Sequence, residues 1–149
     1  MVTPEQNRLV IERWVESFNR GDVDRVVEMF AEDGRNFGRS VGRDGVRAVL
    51  MDIYTRFPDA KLVVHEWIAD SERVGFRATY SGTHRGVGRL PVDGAMLIGV
   101  PPTNRSFAVV HLHMFRIENG LITEHWGGRD DVGMMRQLGL LPPPAAPPQ

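Results

Sequence analysis

The sequence predicts an α+β domain in which three N-terminal helices close one side of a curved, mostly antiparallel β-sheet and leave a pocket between the layers. Three observations carry this. Apolar residues recur at spacings of three and four from the N-terminus to Phe57. From Lys61 onward the period becomes two. Helices first and a run of strands afterwards is the α+β order, not the alternation of an α/β chain. The 149 residues suit one domain, placed at 1–141, with a Pro-rich tail at 142–149 expected to be disordered.

Each element has a local reason. Thr3 is a good N-cap, Pro4 suits the first helical position, and Gln6 completes a capping box. Val10, Ile11, Trp14, Val15 and Phe18 then form one stripe, and Gly21 ends the helix. Asp22 caps a second helix carrying Val23, Val26, Val27 and Phe30. Residues 31–42 are polar and Gly-rich and read as loop. A third helix spans about Gly45 to Phe57 and stops before Pro58. Lys61 to Ile68 and Val74 to Ser81 read as strands around a turn at Asp70–Arg73. The Gly- and Pro-rich segment 82–105 is long for a connection, as functional loops and lids often are. Ser106–Ile117 and Leu121–Gly127 form a hairpin about Glu118-Asn119-Gly120, and Asp131–Leu138 a short helical turn.

Composition removes several function classes. A net charge of −1 with scattered Lys and Arg gives no electrostatic case for nucleic acid. With no cysteine, disulfides, thiol chemistry and Cys-based zinc sites are excluded. The N-terminus lacks the apolar core of a signal peptide, and no apolar run approaches the length of a membrane span, so a cytoplasmic protein without membrane contact is expected. No phosphate-binding loop, dinucleotide fingerprint, G-x-S-x-G or H-E-x-x-H motif occurs.

The chemistry-bearing residues concentrate between Val109 and Gly139. His111 and His113 are two apart on a strand and share a face, and imidazole suits proton transfer near neutral pH; a pair of core histidines would look the same. Asp130 either orients one of these rings or caps the last helical turn; Asp131 reads as solvated. A metal would need a third ligand such as His84 or Asp130 beside the H-x-H pair, and no metal site is expected. The hairpin register is open. A two-residue Asn119-Gly120 turn sets His113 opposite Trp126 with Asp130 on the histidine face. A type I turn with Gly120 as a bulge sets His113 opposite His125 and brings Gly127 onto that face. Trp14, Tyr54, Tyr80, His84, His125 and Trp126 are candidate substrate contacts, each also compatible with core packing or, for His84, with a loop-fixing hydrogen bond. His65 and Trp67 share a strand face that equally suits a subunit contact, and Arg77 reads as an outer-face ion-pair residue.

Several pieces together resemble the SnoaL-like polyketide cyclase family, whose cone-shaped α+β fold is shared with nuclear transport factor and ketosteroid isomerase. They are FNRGDVD, FPD, GTH at Gly82–His84, GVPPTNRSF at Gly99–Phe107, HMFRIENGLITEHW and DDVGMMRQLG, and the likeness covers about Glu5 to Leu141. The resemblance implies a homodimer or larger assembly, no cofactor and a small hydrophobic metabolite in the cone. Known cyclases close the last ring of aromatic polyketides by an intramolecular aldol reaction, using an aspartate on the last strand near a histidine on the strand before it. The match puts that histidine at His113 and the aspartate's position at Gly127, so the family's carboxylate is missing; the later aspartate of the family's ending matches Asp130. The expectation is therefore a cyclase or isomerase working by acid/base proton transfer, with His113 leading and Asp130 and His111 in support. Epoxide opening in the same pocket and a non-catalytic binding module are the rivals.

Overall fold

What organises the chain is a six-stranded curved sheet. The structure is a computed structural model and describes residues 2–92 and 95–148; Met1, Asp93 and Gly94 of the long loop and Gln149 of the tail lie outside the described residues. In chain order the elements are α1 (Pro4–Asn19), α2 (Val23–Glu28), β1 (Phe30–Asn36), β2 (Arg39–Ser40), α3 (Gly42–Arg56), β3 (Lys61–Ala69), β4 (Arg73–Thr83), β5 (Ser106–Glu118), β6 (Leu121–Arg129) and α4 (Asp131–Gln137). The strand order is β2-β1-β6-β5-β4-β3, antiparallel throughout except where β1 runs parallel to β6.

The helix ends are made as the sequence dictates. Thr3 Oγ1 accepts from Gln6 N at 3.2 Å while Gln6 Oε1 accepts from Thr3 N at 2.9 Å, and Asp22 Oδ1 accepts from Arg25 N at 3.1 Å. α1 packs on β3 and β4 and buries Ile11, Trp14 and Phe18 in the core, where Trp14 meets Phe76 of β4 and Phe115 of β5. Each such buried side chain contributes about 1.5–3 kcal/mol of apolar burial. Among the described residues, no helix is long and apolar enough to cross a membrane.

Three local expectations are corrected. The segment read as loop at 31–42 holds β1 and β2, and Phe30 starts a strand instead of ending α2. Only three of β1's seven residues are buried, so its alternation is too weak to read; pairing with β6 holds it in the sheet. His65 and Trp67 lie on opposite faces, because a bulge between Val64 and Glu66 shifts the β3 register. Trp67 turns inward onto Phe76, and His65 stays exposed beside Thr79. The β5–β6 hairpin follows neither register alone. Asn119 and Gly120 both have positive φ (51° and 77°), making a two-residue type I′ turn with Glu118 opposite Leu121. A bulge at Thr123 then slips β6 by one residue, so His113 faces Gly127, His111 faces Arg129 and Phe115 faces His125.

Candidate active site

Side chains from the inner face of β5 and β6 point at a cavity of about 630 Å³, within the usual range for a small-molecule site. Its lining is mainly aliphatic and aromatic: Trp14, Leu50, Tyr80 and the loop residues Leu90 and Val92. Asp52 builds the loop wall, accepting from the backbone N–H of Arg89 (2.8 Å) and Leu90 (3.3 Å) while paired with buried Arg56 at 3.1 Å.

The polar end of the cavity is a chain of imidazoles. His111 Nδ1 lies 3.0 Å from His113 Nε2, His113 Nδ1 lies 2.8 Å from His125 Nε2, and His125 Nδ1 lies 2.9 Å from Asn36 Oδ1. The parallel β1–β6 pairing sets Asn36 opposite His125 and so completes the chain. Trp14 packs on His113 and His125 at centroid distances of 5.5 and 6.0 Å. Burial away from water opposes the imidazolium form at all three rings, helped by the Arg129 charge. His111 falls to about 2 and His125 to about 3, with His113 well below its ordinary value. All three are therefore neutral at pH 7. A neutral imidazole has one N–H and one lone pair, so the protons of the chain all point toward Asn36 or all toward the cavity.

His111 Nε2 forms the open end. A Cβ placed on Gly127 would lie 3.1 Å from it, so the nitrogen takes part of the space a side chain at 127 would fill. Arg129 lines the cavity opposite His111, lies against the Tyr80 ring and is paired with Asp131 at 2.7 Å. Phe37 is 48% exposed, lines the cavity edge and packs edge-on against His125 and Trp126. It sits at φ 52°, followed by Gly38 at 74°, in the β1–β2 turn. A bulky residue in that region is strained.

Of the residues singled out from the sequence, His111, His113, His125, Trp14 and Tyr80 meet at this cavity, but His113 has both ring nitrogens occupied by other histidines. Four others lie elsewhere. Asp130 is exposed, and its Oδ1 accepts from Gly133 N at 2.8 Å as the N-cap of α4. Tyr54 donates to Phe18 O at 2.6 Å behind the cavity wall. His84 fixes the long loop, with its Nδ1 accepting from Thr103 N at 3.2 Å. Trp126 is on the outer face, 44% exposed. Sequence reasoning missed Asn36 and Phe37, hidden in the segment read as loop, and Arg129 and Asp131. For Arg129 a signal existed, since a bulged hairpin register carries it onto the histidine face.

A cone-shaped α+β shell holding an apolar cavity with a polar, titratable end defines a class of small-molecule binding and catalytic domains. Within it, the chain belongs to the SnoaL-like polyketide cyclase family, whose model matches residues 8–138. A relative, the aklanonic acid methyl ester cyclase DauD from Streptomyces sp. (strain C5), is 28% identical over 137 residues, covering 87% of this chain and 80% of that protein. The solved structure of IdmH from Streptomyces antibioticus is 30% identical with a TM-score of 0.73, covering 90% of this chain and 99% of that one. TsrD from Streptomyces laurentii is 26% identical with a TM-score of 0.77, covering 95% and 100%.

Proposed function

We propose that this protein closes a ring of a polyketide-like metabolite by an intramolecular aldol addition, with His111 Nε2 as the general base. The observation that carries this reading is the open Nε2 at the end of the three-histidine chain, against Gly127, where the family places its aspartate. His111 removes a proton next to a substrate carbonyl, and the Arg129 guanidinium stabilises the enolate oxygen. The enolate carbon attacks a second carbonyl of the same molecule, and the alkoxide takes the proton back. One C–C bond forms, one proton moves from carbon to oxygen, and no oxidation state changes, so no cofactor is required. Burial and the Arg129 charge penalise the His111 imidazolium, but a developing enolate supplies its counter-charge. The base is thus favoured in the transition state and not in the resting enzyme. The charge can also pass down the chain toward His125. Aklanonic acid methyl ester, the substrate in DauD's name, is the first probe. Turnover to a cyclised isomer of unchanged mass that is lost in His111→Gln supports the reading; turnover unaffected by that change contradicts it.

One observation favours epoxide opening: Asp131, paired with Arg129 at the cavity, could orient a water. Hydrolysis of an aryl-alkyl epoxide, abolished in Asp131→Asn and unaffected in His111→Gln, would select that reaction. A homodimer is supported by the outer face of β5 and β6, where Val110, Leu112, Met114 and Trp126 are each 44–53% exposed in one patch. Sedimentation should show a dimer that Leu112→Glu dissociates.

A further inference from the structure

We infer that Asn36 is a positioning residue that sets the tautomer of all three histidines, so that His111 presents a lone pair, not an N–H, to the cavity. The inference rests on the reading of His111 as a base, but it concerns the resting protein and is tested there. Asn36 Oδ1 is 2.9 Å from His125 Nδ1, and a carbonyl oxygen only accepts. His125 must therefore carry its proton on Nδ1 and leave Nε2 bare. That bare nitrogen is 2.8 Å from His113 Nδ1, which must in turn be protonated, leaving His113 Nε2 bare. The same step over 3.0 Å protonates His111 Nδ1 and leaves His111 Nε2 with its lone pair. One acceptor at the far end thus dictates the chemistry at the near end, across three rings.

A second observation agrees in direction. With the protons pointing toward Asn36, the negative end of the aligned N–H dipoles faces the cavity, where Arg129 stands opposite His111. The reverse arrangement would turn an N–H toward that cation. Were the Asn36 amide turned to donate, every tautomer would invert, and His111 would become a hydrogen-bond donor unable to take a proton. Asn36 is partly exposed, so its amide N–H groups can meet water while Oδ1 faces inward. In serine proteases, holding the triad histidine in the wrong tautomer costs about 10⁴ in kcat, which shows how much such control can matter.

Long-range ¹H–¹⁵N spectra of the full-length, ligand-free protein at neutral pH distinguish protonated from bare ring nitrogens. The expected result is Nδ1–H with bare Nε2 for His111, His113 and His125, the form that free histidine side chains disfavour. Nε2–H on these rings would overturn the inference. In Asn36→Leu the Nδ1–H preference should be lost at His125 and, with it, along the chain; its persistence would show that Asn36 does not set it. Asn36→Asp keeps an acceptor and should keep the proton on His125 Nδ1. If the Leu variant folds poorly, loss of the His125 Nδ1 proton in Asn36→Asp, which retains the acceptor, would equally overturn the inference. With substrate, Asn36→Leu should lower kcat about ten-fold or more while KM stays within about two-fold. The expected tautomers without turnover of aklanonic acid methyl ester would uphold the role of Asn36 and count against the proposed reaction.

Discussion

The three neutral histidines, two of them buried and His125 partly so, make the protein acid-sensitive, and the size of the effect follows from the structure. Unfolding returns each ring to water, where its pKa is near the ordinary 6.5, whereas burial keeps His111 and His125 at about 2 and about 3 and His113 well below its usual value. The folded values are depressed, so below pH 6.5 the unfolded chain binds protons that the native chain does not. Stability is complete above that point and declines as pH falls. From pH 7 to pH 5.5 each histidine costs about 1.3 kcal/mol, so the three together cost about 4 kcal/mol. His84, also lowered by burial, acts in the same direction. Asp59 and Asp70 are held below the usual 3.8 and titrate outside this window. Against a typical total of about 5–15 kcal/mol, the loss is large. Urea unfolding followed by tryptophan fluorescence at the two pH values measures it directly. His111→Gln should remove about a third of the pH dependence, being about 1.3 kcal/mol of the total. A stability that changes by less than about 1 kcal/mol across this range would refute the buried, neutral chain.

Three further outcomes are expected. Gly127→Ala puts a methyl 3.1 Å from His111 Nε2, so the ring must shift by a few tenths of an ångström; kcat should fall about ten-fold with the fold retained, read by steady-state kinetics and circular dichroism. Phe37→Asn relieves a bulky residue at φ 52° and creates the favoured Asn-Gly type I′ turn, so stability should rise by about 1 kcal/mol while KM for an aromatic substrate increases. Thermal unfolding and kinetics on the same variant check both signs. Asp130→Ala removes the α4 cap and should cost about 1 kcal/mol of stability with kcat nearly unchanged, the opposite of what a catalytic carboxylate would give.

The sequence made much of this legible where the signal was local. Thr3 and Gln6 announced the first helix, and Glu118-Asn119-Gly120 placed the hairpin turn while leaving its register open. The alternation from Ser106 to Ile117 put His111 and His113 on one face. What stayed hidden depended on partners distant in the chain. β1 is too polar to read as a strand, and only its parallel pairing with β6 reveals it. Asn36 therefore looked like loop although it completes the histidine chain. Two bulges, at Thr123 and between Val64 and Glu66, leave no clear mark in the sequence, yet one brings Gly127 opposite His113 and the other separates His65 from Trp67. Asp130 and Asp131 are adjacent and chemically equivalent. Only the start of α4 decides that the first caps a helix while the second meets Arg129.

Solvent exchange distinguishes His111 from His113 as the group that meets the substrate. The proton next to the reacting carbonyl of aklanonic acid methyl ester, or of a truncated ketone that can enolise but not cyclise, should exchange with deuterium in the wild-type enzyme. His111→Gln should abolish this exchange, whereas His113→Gln, which interrupts the chain but leaves a nitrogen base at the cavity, should reduce it and leave it measurable. Exchange that survives His111→Gln and disappears in His113→Gln would assign the base to His113 instead.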